Sequence, residues 1–182
     1  MALKTPSQLR RGSVTNNRAR LGKARTIPLP RDRRCKALQS VGALILTGAR
    51  GEDVAQQITA LVQRICRYRW VGIYKINRHD FVLIASTNGM HPAYPRFPLS
   101  QGLSAEAVER RATVVVPDVG KEPKFLPNFW TTKSEIIVPI VDDEHERVLG
   151  TIVAESGKLN AFRKADRDFL EGVARIIWRA LG

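Results

Sequence analysis

The chain has 182 residues, 43% of them hydrophobic and 26% charged, enough for one domain with a proper core and too short for two. No stretch approaches the roughly 20 apolar residues of a membrane-spanning helix, so a soluble chain is expected. Two cysteines cannot build a disulfide framework or, unaided, a tetrahedral metal site. His79, His91 and His145 show no ligand spacing. The expectation is a cytoplasmic protein with neither metal nor cofactor.

The net charge of +13 divides unevenly. Residues 1–36 hold eleven Lys or Arg against one acid, Asp32, a net +10; residues 37–182 hold nineteen against sixteen, a net +3. Residues 1–34 lack aromatics and periodicity and are broken by Pro6, Pro28 and Pro30. Such a stretch cannot bury enough apolar surface to offset its ordering entropy. Residues 1–35 are therefore read as a disordered basic tail ahead of one domain over 36–182. The arginines suit phosphates of nucleic acid or an anionic membrane, and the Arg-rich, acid-poor composition also suits an organelle transit peptide. An inert tail and a start assigned too far upstream stay open beside these. No aromatic interleaves the arginines, so base stacking has no support.

The domain opens with Ala37, Leu38, Val41, Leu44 and Ile45 at helical spacing. After Gly51 a second stripe, Val54, Ile58, Leu61, Val62, Ile65 and Cys66, marks an amphipathic helix with Cys66 as a buried thiol. The period then switches to two. Trp70, Gly72, Tyr74 and Ile76 share one face of a strand, and Val71, Ile73 and Lys75 the other. Residues 77–80 turn the chain into a second strand over 81–85, a hairpin with His79 at its tip. Residues 88–98 read as a loop with an exposed Tyr94. A short helix runs from Ser104 to Arg111, and a buried strand from Thr113 to Val116.

Residues 118–133 form a long irregular excursion carrying Phe125, Leu126, Phe129 and Trp130. Its length and aromatic content point to a lid. A strand over 134–141, a turn at 142–146, a strand over 147–155 and an amphipathic helix ending at Leu181 close the chain. Strands joined mostly by hairpins, with helices from both ends, predict an α+β fold. An antiparallel sheet carries the terminal helices on one face.

Three motifs carry a resemblance. Gln101-Gly102-Leu103-Ser104-Ala105 followed by Val114-Val115-Val116-Pro117-Asp118-Val119, then Ser134-Glu135-Ile136-Ile137-Val138-Pro139-Ile140, then Val148-Leu149-Gly150-Thr151-Ile152 resemble GAF domains in their order. Phe162 and Asp166 fit the approach to the last helix. The resemblance spans about residues 37–181 and implies a PAS-like sensor fold, with a ligand held between the sheet and the lid.

Trp70-Val71-Gly72-Ile73-Tyr74 and Ser134-Glu135-Ile136 are most similar to stand-alone GAF proteins that reduce free methionine-(R)-sulfoxide. That likeness implies pocket roles for Trp70, Tyr74, Glu135 and Glu155, with an aromatic wall and a carboxylate facing an ammonium group. It assigns the three redox cysteines to the positions of Tyr94, Ser104 and Asn128, and a further carboxylate to Val153. No hydroxyl or amide replaces a thiolate in that chemistry. Ser104, Asn128 and the lid residue Trp130 are carried as ligand contacts, with no catalytic residue.

The residues alone also allow plainer roles. Trp70 and Tyr74 serve as core aromatics under the helices, Glu135 and Glu155 as surface carboxylates, and Phe129 and Trp130 as anchors of the lid. No cysteine lies in the lid to hold a bilin, Arg167 replaces an acid of the cyclic-nucleotide motif, and no phosphate-binding glycine loop occurs. The leading expectation is a non-enzymatic sensor for a small, amino-acid-like ligand. The alternatives are a divergent reductase working through Cys66, and a ligand-free module that dimerises through its terminal helices.

Overall fold

A computed structural model describes residues 31–181 of the protein. Helix α1 covers Arg31–Leu46 and α2 Gly51–Cys66; strands β1, Trp70–Asn77, and β2, Asp80–Ser86, form the first hairpin. Strand β3 is Arg96–Pro98, α3 Gly102–Glu109 and β4 Val114–Val116. Strands β5, Ser134–Asp142, and β6, Arg147–Ser156, form the second hairpin, and α4, Lys164–Leu181, ends the chain. The six strands make one antiparallel sheet in the order β3-β2-β1-β6-β5-β4. Among the described residues no helix is long and apolar enough to cross a membrane.

Helix α2 shows why the sequence folds locally as it does. Glu52 and Asp53 sit in its first turn and Arg64 in its last, each complementing the helix dipole. Its buried stripe is Val54, Ala55, Ile58, Thr59 and Val62, and the helix stops where Arg67 turns to φ +56° and donates its N–H to the Gln63 carbonyl.

The sheet separates two cores. On one face Val71, Ile73, Ile136, Val138, Ile152 and Ala154 pack against apolar residues of α1, α2 and α4. On the other, Trp70, Tyr74, Phe81, Ile137 and Val153 pack against α3 and the segments before β3 and β5. The period-two pattern of β1 is thus realised residue by residue. Trp70 and Tyr74, however, lie on the face away from α1, α2 and α4, under the lid. Period two tells that two side chains share a face; it does not tell which face the helices cover.

Helix α1 begins at Arg31 and so takes in the last residues of the expected basic tail; residues 1–30 lie outside the described residues. Arg34 explains the extension. Its Nη2 donates to Asp166 Oδ1 at 2.7 Å, with side chains only 15% and 12% exposed. The same carboxylate accepts from Tyr68 Oη at 2.7 Å and the Arg163 N–H at 2.9 Å. The partner stands 132 residues away, beyond any local pattern. Val115, expected inside a buried strand, is 38% exposed because β4 is the edge of the sheet. The 142–147 turn is organised by Asp142, only 2% exposed, rather than being fully solvated. Its carboxylate accepts from the Glu144 and His145 N–H groups and from Arg147 Nε.

In the full chain, Arg34→Ala removes one charge-assisted bond while Asp166 keeps its other two donors. The expected loss is about 1–2 kcal/mol, measured by urea unfolding. An unchanged midpoint places α1's attachment elsewhere.

Candidate functional site

The strands align three rows of side chains on the lid face. In-register pairing puts Trp70 opposite Glu155 and Glu155 opposite Glu135. The next row is Gly72, Val153 and Ile137; the third is Tyr74, Thr151 and Pro139. Gly72 is required by its neighbour, because a Cβ there would lie 2.1 Å from Trp70 Cη2. The missing side chain lets the indole lie along the strand, 6.4 Å from the Tyr74 ring. Phe129 of the lid meets the same indole edge-on at 5.6 Å.

Glu135 and Glu155 are 5% and 0% exposed. Directly opposed side chains on an antiparallel pair stand about 5 Å apart at Cβ, so two carboxyl groups share one dry place. Their partners differ. Glu155 Oε1 accepts from Asn128 Nδ2 at 3.1 Å, and Oε2 from Thr132 Oγ1. Among the described residues no donor bonds to the Glu135 carboxyl. Burial, reinforced by the Glu155 charge, pushes Glu135 well above the usual carboxylate range. Burial also raises Glu155, but Thr132, Asn128 and Arg69 oppose the shift. Of the two, Glu135 is held more strongly toward its protonated form, because Glu155 alone has donors that favour its charge.

Glu135 faces a cavity of about 20 Å³, room for about one water molecule. Tyr74, Tyr94, Ser104 and Asn128 supply its other polar groups, and Phe97, Ile137 and Val153 are among its apolar walls. Gly102 opens α3 at φ +75°, with Leu126 packed where a Cβ would stand, and so brings Ser104 to the cavity. Tyr74 Oη donates to the Tyr94 carbonyl at 3.0 Å. Burial, with both glutamates nearby, raises the Tyr74 phenol and keeps it neutral. Trp70 Nε1 and Thr151 Oγ1 are buried without partners.

Of the sequence-derived site residues, Tyr74, Ser104, Asn128 and Glu135 line this one cavity. Glu155 stands behind Asn128, and Trp70 walls the adjoining core beside Phe129. Trp130 is not brought in: it is 91% exposed. Phe129 points inward in its place, so of the neighbouring pair Phe129 and Trp130 only Phe129 anchors the lid. Both glutamates are buried, unlike the surface carboxylates of the plainer reading, and Tyr94 is half-buried rather than exposed. Tyr94, Ser104 and Asn128, the positions matched to redox cysteines, do converge here without a thiol. Cys66 is partly buried against the helix-side core, across the sheet, and Cys35 is exposed on α1. Sequence reasoning missed Thr132, which no spacing marked, and Phe97, whose strand read as loop. Among the described residues no group of three or more His, Cys, Asp or Glu gathers as metal ligands would.

A carboxyl whose folded-state pKa is raised costs nothing at a pH below its ordinary value and destabilises progressively as pH rises through the folded titration. Glu135→Gln removes that cost. The melting temperature of the variant relative to the parent is expected to rise between pH 4 and pH 8, by about 2–4 °C for each kcal/mol recovered. Differential scanning calorimetry at both pH values checks this, and a pH-independent difference contradicts it.

Comparison with known proteins places this arrangement. The GAF domain family model matches residues 50–181. GAF domain-containing protein A of Dictyostelium discoideum is 26% identical over 134 residues, covering 73% of this chain and 83% of that protein. The free methionine-R-sulfoxide reductase of Saccharomyces cerevisiae is 29% identical over 110 residues, covering 59% of this chain and 60% of the yeast protein. The structure of a type II free methionine-R-sulfoxide reductase from Thermoplasma acidophilum matches with a TM-score of 0.62 at 30% identity, over 69% of this chain and 91% of that one. With the family model spanning its sheet and three of its four helices, the chain belongs to the GAF domain family.

Proposed function

We propose that this GAF domain is a non-enzymatic sensor that binds a small, amino-acid-like ligand carrying an ammonium group in the cavity beneath its lid. The carrying observation is the buried Glu135 carboxyl, without a hydrogen-bond partner and opposite Glu155. An ammonium group supplies what Glu135 lacks, a positive charge and donors, and lets it ionise. Tyr74 and Phe97 offer aromatic surface for the rest of the ligand. The cavity holds about one water as it stands, so the cover must move to admit an amino acid.

Strand β5 offers a route outward. Glu135 and Ile137 face the lid side, whereas Ile136 and Val138 join the core under α4. A displacement of β5 on ligand binding is thereby felt at α4, and from there at α1. The reductases among the relatives favour a second reading, turnover of methionine sulfoxide. Against it stand Tyr94, Ser104 and Asn128 at the positions matched to thiols, and two cysteines on the other side of the sheet.

The test is a thermal-shift titration of the full chain with methionine, both methionine sulfoxide epimers, other amino acids and cyclic nucleotides. A ligand at 100 times its Kd adds about 2.7 kcal/mol. We expect a dose-dependent rise for one amino-acid class, abolished by Glu135→Ala. No rise across the panel favours a module that works by contact alone, and thiol-dependent consumption of the sulfoxide establishes the enzyme instead.

A further inference from the structure

The cavity is covered by two chain segments, residues 90–95 and 122–133, which contribute Tyr94, Leu126 and Asn128 to its lining. Neither is tied to the sheet by a continuous ladder of strand bonds at this point. Asn128 joins them, and one buried carboxylate ties Asn128 to the sheet. Glu155 Oε1 accepts from Asn128 Nδ2 at 3.1 Å and Oε2 from Thr132 Oγ1, so both oxygens are taken by donors from the lid. Asn128 passes the restraint on: its Oδ1 accepts the Tyr94 N–H at 3.3 Å and its backbone carbonyl the Ala93 N–H at 3.2 Å. Glu155 itself is fixed, wholly buried in a strand paired on both sides.

We propose that Glu155 is the latch of this cavity: it holds both cover segments shut through Asn128 and Thr132, and ligand exchange is gated by release of those two residues. The proposal rests on reading the cavity as the ligand site. It assigns the two glutamates different work. Glu135 faces the space a ligand would fill, whereas Glu155 faces the cover. Asn128 and Thr132 are accordingly positioning residues, acting on access rather than touching the ligand's charged group. The charged and titratable groups around Glu155 are Glu135 on β5, Tyr74 on β1 and Arg69 just before β1. Arg69 is the cation whose field favours the ionised, accepting form.

The latch can be read without any ligand. Hydrogen exchange of the full-length protein is compared with Thr132→Val, which cuts one arm and keeps the shape, and Asn128→Ala, which cuts the other. A charge-assisted bond of this kind corresponds to about a tenfold change in local opening. Each variant is expected to speed exchange about tenfold across 90–95 and 122–133 while β1, β6 and α4 keep parental rates. The double variant is expected to show coupling, because both arms end on one carboxylate. Parental exchange in the cover of both variants, or acceleration spread equally over the helices, overturns the latch.

A second readout separates this from the ligand assignment. For a ligand that stabilises the parent, association measured by stopped flow is expected to be faster in Thr132→Val, and an unchanged rate overturns gating. A panel with no binder overturns the ligand reading alone, since the exchange pattern of the cover is measured in its absence.

Discussion

Two carboxyl groups face each other across β5 and β6 in a place almost closed to water. Two ionised carboxylates so placed repel and lack hydration, so the sheet can hold them only by dividing their roles. Glu155 is the better able to carry charge, because it has donors from Asn128 and Thr132. Glu135, with none, is pushed further toward its protonated form. The proposed preference for a cationic ligand rests on that division. Replacing the pair by apolar residues would suit a core better; its presence is the strongest sign that this face of the sheet is built for recognition.

The sheet keeps two unlike cores apart. Aliphatic side chains on the helix face interlock with α1, α2 and α4, while the opposite face holds aromatics, polar groups and the cover. A central strand such as β5 is buried on both faces over most of its length and so belongs to both cores at once. In the proposed sensor, a displacement at one carboxyl would pass through this strand rather than through a loop. The Arg34–Asp166 pair anchors α1 on the far side, which fixes the frame against which such a displacement would register.

Local periodicity made most of the scaffold legible. The stripes of α1, α2 and α4, the alternation in β1, and the two hairpins follow from spacing alone, and the aromatic-rich stretch before β5 marked the lid. What stayed hidden depends on contacts between distant segments. Glu155 ends a strand and reads as surface until Thr132, 23 residues earlier, folds over it. Arg34 reads as tail charge until Asp166 is brought beside it. Phe129 and Trp130 are neighbours of similar character, and only the turn of the backbone between them decides that one enters the core and the other the solvent. The motif resemblance located Tyr94, Ser104 and Asn128 together, which no periodicity could, because it encodes a shared three-dimensional site.

The placement of the tryptophans has an optical consequence. Trp70 is wholly enclosed against Phe129, Trp178 is buried beneath the Arg179 guanidinium at 4.6 Å, and Trp130 stands in water next to the residue that closes on Trp70. Two indoles are therefore shielded from water while Trp130 is open to it, so a soluble quencher reaches Trp130 most readily. Loss of the Phe129 contact would change the surroundings of Trp70, so intrinsic emission would follow the opening of the proposed latch without an attached dye.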